Sequence, residues 1–304
     1  MEPCKLTILG CGSALPKITA FHAAQLLDMG GKRFMIDCGE GVQIRMRQFA
    51  QSTTRLHHIF VSHLHGDHCL GLPGLLSTWG MAGRTASITI HAHPDIKKVL
   101  KPVIDYFCAD NPFEICYEDV NPRRSEVIYE DRTLTVTSIP LLHRVPTCGF
   151  LFREKPHERH ILREQIERLQ IPIAQIHNIK CGADYTMPDG TLIPNAKLTS
   201  SPDPQRSYAY VSDTAYLEKI VPIIQGVDLL YHEATFLSTD TARIEATLHS
   251  SALQAATIAQ KAAVEKLVIG HYSARYKDTQ PFIDEARTVF LHTFAAYDGA
   301  EFKF

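Results

Sequence analysis

Apolar residues in this chain come in short runs that end repeatedly on a polar residue. The first run, 5–10, enters a glycine-rich turn at Gly10-Cys11-Gly12-Ser13. Segments 22–28 and 32–37 read as a hairpin closed by Gly30-Gly31. The run 58–62, His-Ile-Phe-Val-Ser, has the composition of a buried strand and leads directly into His63. Further strands are predicted at 87–91, 133–142, 207–212, 227–231 and 266–270. The last four run into His143, Asp213, His232-Glu233 and His271. Helical spacing is predicted over 42–49, 70–81, 94–107 and 250–263, the last capped by Ser250 or Ser251 and rich in alanine. Such alternation implies an α/β fold with helices covering sheet faces. It also gathers polar side chains along one sheet edge, a common site location in such folds.

Segment 154–201 breaks the pattern. It is rich in charge and proline, with a helix predicted over 158–169 and a turn at Met187-Pro188-Asp189-Gly190. A long segment with so little core content suits an arm or lid better than the core. The rest supports one large domain: 45% of the 304 residues are hydrophobic. No apolar run reaches the roughly 18 residues of a membrane span. The first residues enter a strand-like run without the marks of a signal peptide. The eight cysteines are scattered, with no Cys-x-x-Cys pair, and are expected as reduced thiols in a cytoplasmic protein. A net charge of −2 gives no global signature of nucleic-acid binding, which would need a local basic patch.

The chemistry concentrates in His63-Leu64-His65-Gly66-Asp67-His68. In an extended segment alternate residues point the same way, so His63 and His65 can hold one metal ion. Asp67 and His68, beyond the Gly66 turn, can reach a second. Imidazole and carboxylate suit zinc, manganese or iron alike. Asp37, at a strand exit, is a candidate to orient a ligand imidazole. Three other motifs carry less. His91-Ala92-His93 repeats the spacing but lacks a following carboxylate-histidine, and reads as a strand end. His157-x-x-His160 sits among charges, as on a solvated helix face. Gly10-Cys11-Gly12 lacks the Gly-Lys-Ser/Thr ending of a phosphate loop.

The stretch from Ser62 to Leu76 resembles the metallo-β-lactamase superfamily and, within it, the ribonuclease Z family, endonucleases that trim the 3′ end of precursor tRNA. Further marks stand in order: Phe34-Met35-Ile36-Asp37-Cys38-Gly39-Glu40-Gly41, His143, Ser212-Asp213-Thr214, His232-Glu233-Ala234-Thr235, His249-Ser250-Ser251 and His271-Tyr272-Ser273-Ala274-Arg275-Tyr276. The resemblance implies an αβ/βα four-layer sandwich with a protruding arm insert at about 154–201. It implies two zinc ions per subunit, with manganese as a substitute. His63, His65 and His143 would hold one, Asp67, His68 and His271 the other, and Asp213 would bridge them. It implies hydroxide attack on phosphorus, with Asp67 accepting the water's proton. His249, kept protonated by Glu233, would donate to the leaving 3′ oxygen. Arg275 is a candidate phosphate contact. The products would be a 3′-hydroxyl on the tRNA and a 5′-phosphate on the trailer. The family's arm grips the tRNA elbow through a Gly-Pro pair and a basic-x-Gly element. Lys180-Cys181-Gly182 matches the second, placing Lys180 and Gly182 as tRNA contacts, but Ile173-Ala174 stands where Gly-Pro is expected. The family also implies a homodimer. The alternative reading is a hydrolase of a small phosphodiester or thioester.

Overall fold

A computed structural model describes residues 4–18 and 20–304. The chain divides into two compact units, one of residues 1–153 and 206–304, the other of residues 154–205. The larger unit holds two seven-stranded sheets. In the first, the order is Glu301–Lys303, Lys5–Gly10, Ala24–Met29, Lys32–Ile36, Leu56–Phe60, Ile88–Ala92 and Ile115–Asp119. Its first four strands pair antiparallel and the remainder parallel. The second runs Thr293–Ala295, Lys266–Gly270, Leu229–Glu233, Ser207–Val211, Cys148–Glu154, Leu134–Pro140 and Val127–Glu130.

Strand periodicity explains why the sheets stack. In 24–36, Leu27, Phe34 and Ile36 enter one apolar core while Leu26 and Met35 enter another. Phe60 and Ile59 split the same way. The first core lies between the sheets, where Phe34 meets Phe152 at 5.4 Å and Phe60 meets Phe150 at the same centroid distance. The second core packs the outer face of the first sheet against helices Val42–Gln48 and Gly71–Met81 through Leu72, Leu75, Leu76 and Trp79. Helix Ala252–Lys261 covers the second sheet with Ala255, Ala256, Ile258 and Ala259, and starts from a capping box between Ser251 and Gln254. Each fully buried phenylalanine is worth roughly 1.5–3 kcal/mol. The αβ/βα layering expected of the sequence is therefore present.

Several elements differ from the pattern reading. The helix predicted over 94–107 is two, Ile96–Val99 and Lys101–Phe107, with Pro102 in the first turn of the second. Proline there cannot donate to a preceding turn, so one helix ends and another begins. The helix predicted over 158–169 is a short strand, His160–Ile161, followed by helix Arg163–Leu169. His157 and His160 therefore share no helix face; they pair with Glu154 and Asp203. Unit 154–205 carries its own small core of Ile171, Ile179, Tyr185 and Leu198. Its Gly190 has φ 87° in the turn between Tyr185–Thr186 and Leu192–Ile193. Among the described residues, no helix is long and apolar enough to cross a membrane.

Candidate metal centre

The strand ends bring the polar residues together. His63 follows strand Leu56–Phe60, and His65 precedes the short helix Gly66–Cys69 that carries Asp67 and His68. Asp213 follows Ser207–Val211, and His271 follows Lys266–Gly270 with a left-handed φ of 62°. A non-glycine residue in that conformation is costly and is held by its surroundings. One ligand atom each from His63, His65, His143 and Asp213 falls within 4.8 Å of the others, and so does one each from Asp67, His68 and His271.

Asp213 stands between the two groups. Its Oδ2 lies 3.5 Å from His63 Nε2 and 3.7 Å from His143 Nε2. Its Oδ1 lies 3.4 Å from His68 Nε2 and 3.3 Å from His271 Nε2. Asp67 Oδ2 faces His271 Nε2 at 3.4 Å and accepts the Ala14 backbone N–H at 2.8 Å.

Surrounding hydrogen bonds decide which ring nitrogen faces inward. Asp37, fully buried and at φ 56°, accepts from Ser62 N, Ser62 Oγ, Tyr210 Oη and His68 Nδ1 at 2.6–2.9 Å. The Ser62 hydroxyl, whose proton is spent on Asp37, accepts a hydrogen bond from His63 Nδ1–H at 3.0 Å. His143 Nδ1 donates to Leu248 O at 3.0 Å. Thr235 Oγ1 donates to Glu233 and accepts from His271 Nδ1 at 3.0 Å. In all four rings Nε2 is left as a lone pair turned into the cluster.

These inward lone pairs test whether cations fit. His63 Nε2 and His65 Nδ1 face each other at 3.0 Å, and His68 Nε2 and His271 Nε2 at 3.2 Å. His143 Nε2 and Asp213 Oδ1 are buried without a hydrogen-bond partner among the described residues. An orphaned buried polar atom costs about 1–3 kcal/mol, which a cation among the lone pairs removes. Burial lowers the pKa of His63, His65 and His143, keeping them in the neutral form that ligates. Against burial, Asp213, Asp37 and Asp67 draw the His68 pKa upward, a measure of how strongly the carboxylates call for positive charge. The donor set fits divalent metal ions.

Beside the cluster, Glu233 is completely buried. Its Oε1 accepts from Thr214 N, Ser250 N and His249 Nδ1, the last at 2.8 Å. Its Oε2 accepts from Thr235 N and Thr235 Oγ1. His249 is thus pinned by Nδ1, with Nε2 4.0 Å from Asp213 Oδ2. Burial works against its charged form, but the Glu233 carboxylate outweighs that and lifts the pKa to about 9.

An open cavity of about 560 Å³ reaches this assembly, lined by His65, Asp67, Asp213, His249 and His271. Among the described residues its one fixed cation is Arg144, next to a ligand candidate and not singled out from the sequence. The signal was available: Arg144 directly follows His143 at a predicted strand end. Arg275 is exposed and is not part of this lining; its charge acts on Asp240. Lys180 pairs with Glu158, and Gly182 takes φ 104°, both within unit 154–205. His91 is absorbed by packing: it stacks on Phe60 at 4.4 Å and shares a hydrogen bond with His58.

Two stacked sheets with a His/Asp cluster at their strand ends define a metal-dependent hydrolase of the metallo-β-lactamase fold. The fold superposes on the short form of human tRNase Z with a TM-score of 0.70, 21% identity and 98% of each chain covered. The chain is 51% identical to ribonuclease Z of Parabacteroides distasonis over 97% of each chain. It is 50% identical to ribonuclease Z of Phocaeicola vulgatus over 97% of this chain and 96% of the relative. A family model described as "Anti-Pycsar protein Apyc1" matches residues 4–155. The chain therefore belongs to the ribonuclease Z family, and its first half to the family that the Apyc1 model describes.

Proposed function

We propose that the protein is an endoribonuclease that removes the 3′ trailer from precursor tRNA, leaving a 3′-hydroxyl on the tRNA and a 5′-phosphate on the trailer. The observation that carries this reading is Asp213, whose two oxygens face two separate sets of imidazoles at 3.3–3.7 Å beside an open cavity. His63, His65 and His143 would hold one zinc ion and Asp67, His68 and His271 a second, with Asp213 facing both sets; manganese would substitute. Ions bound there supply Lewis acidity, which lets water ionise near neutral pH and offsets the charge of a phosphodiester.

The protein's own groups do the rest. Asp67, fixed by the Ala14 N–H, accepts the proton of the attacking water. His249 carries a proton on Nε2 and hands it to the departing 3′ oxygen of the tRNA, while Glu233 holds Nδ1 and favours the charged ring. Arg144, exposed on the cavity wall, meets a flanking phosphate. Unit 154–205 is assigned to binding the tRNA through Lys180 and Gly182. The working form is a cytoplasmic homodimer. Incubating purified protein with a precursor bearing a 3′ trailer, in zinc or manganese, tests the reading. Cleavage at the trailer junction supports it; an intact precursor with hydrolysis of a small phosphodiester or thioester favours the alternative.

A further inference from the structure

A second set of ligating side chains converges within unit 154–205. Glu158, His177 and Cys181 each bring one ligand atom within 4.8 Å of the others. We propose that these three residues bind a thiophilic divalent cation of the zinc class, at a site separate in chemistry from the His/Asp cluster.

His177 and Cys181 stand four residues apart at the end of helix Ile173–Lys180, so both project from one face. His177 Nδ1 is 3.4 Å from Glu158 Oε1 and 4.0 Å from Cys181 Sγ. Tetrahedral zinc, with bonds of about 2.0–2.3 Å, sets such ligand atoms about 3.4–3.6 Å apart. The nitrogen–oxygen pair already has that spacing; the sulfur, 4.0 Å from Nδ1, must close by about 0.4–0.6 Å on binding. Lys180 Nζ holds the other Glu158 oxygen at 2.6 Å, which fixes the carboxylate and turns Oε1 toward His177. The cation would also sit at the C-terminal end of the helix, the negative end of its dipole. Cys181 is exposed, and His177 and Glu158 are 75% and 43% exposed, so the fourth position is open to water. Binding exchanges the thiol proton for the metal: the S–H bond breaks, an S–metal bond forms, and the proton leaves to solvent.

The thiolate makes the site separable from the main centre, whose candidate ligands are all imidazoles and carboxylates. Cobalt(II) titrated into the full-length protein should give thiolate-to-cobalt charge-transfer absorption that saturates at one equivalent per chain. Cys181→Ser should abolish the band, and His177→Gln should weaken binding by roughly tenfold or more. Cys116→Ser, at the other cysteine that is not buried, should leave it unchanged. These variants are at exposed or partly exposed positions, and circular dichroism checks that each is folded. Absence of the band in the wild-type protein overturns the proposal. So does a band that survives Cys181→Ser, or one that keeps full affinity in His177→Gln.

Discussion

Single carboxylates organise this site, and Asp37 illustrates how. Four donors end on it, and one of them is the His68 ring that it aims at the cluster. Asp37→Ala leaves Ser62, Tyr210 and His68 without their acceptor. Metal affinity should fall by roughly 10–100-fold, read by competition with a chelator. Glu233 plays the matching part for His249. His249→Ala should retain bound metal and lose roughly 10²–10⁴-fold in kcat; loss of metal would mean that His249 is a ligand. Glu233→Gln makes a finer test. A general acid works only while protonated, so kcat declines as pH rises through its pKa. Removing the carboxylate that raises this pKa should move the decline to lower pH. An unmoved profile would separate Glu233 from proton donation.

Among the elements, strand ends and glycines set where these residues sit. Gly71 opens helix Gly71–Met81, and a Cβ there would lie 2.1 Å from the Gly39 carbonyl oxygen. Alanine ordinarily favours a helix by about 0.5–1 kcal/mol over glycine. Here Gly71→Ala should instead lower the melting temperature and weaken metal binding, because the helix is pushed off the 37–39 turn; a stabilised protein would contradict this packing. Much of this scale was legible in the chain. The strands ending on Asp213 and His271 stand out because they are almost wholly buried, and that before His63 through its Ile59-Phe60-Val61 run. Strands Ile115–Asp119 and Val127–Glu130 were not legible, since both are sheet-edge strands only partly buried. The break at Leu100 is missed by apolar spacing alone, although Pro102 marks it in the sequence. Arg144 was legible only as the residue after His143; that it lines the cavity depends on residues distant in sequence.

At the scale of the whole molecule, the chain leaves the larger unit at Arg153 and re-enters it at Arg206. Arg153 pairs with Ser207 across adjacent antiparallel strands, so the two connection points are neighbours. A short glycine linker in place of 154–205 should therefore leave the sandwich folded and metal-loaded while precursor affinity collapses, seen as a rise in KM for tRNA with a small phosphodiester still cleaved. Unchanged KM for tRNA would remove the assignment of that unit. The central claim is that the Asp213-centred cluster cuts precursor tRNA at its 3′ trailer. Its most direct test maps the ends of the products from a trailer-bearing precursor incubated with zinc-loaded protein. The account predicts tRNA ending in a 3′-hydroxyl and a trailer beginning with a 5′-phosphate, with no cleavage by Asp67→Ala. An uncut precursor in the presence of metal-loaded protein would contradict it.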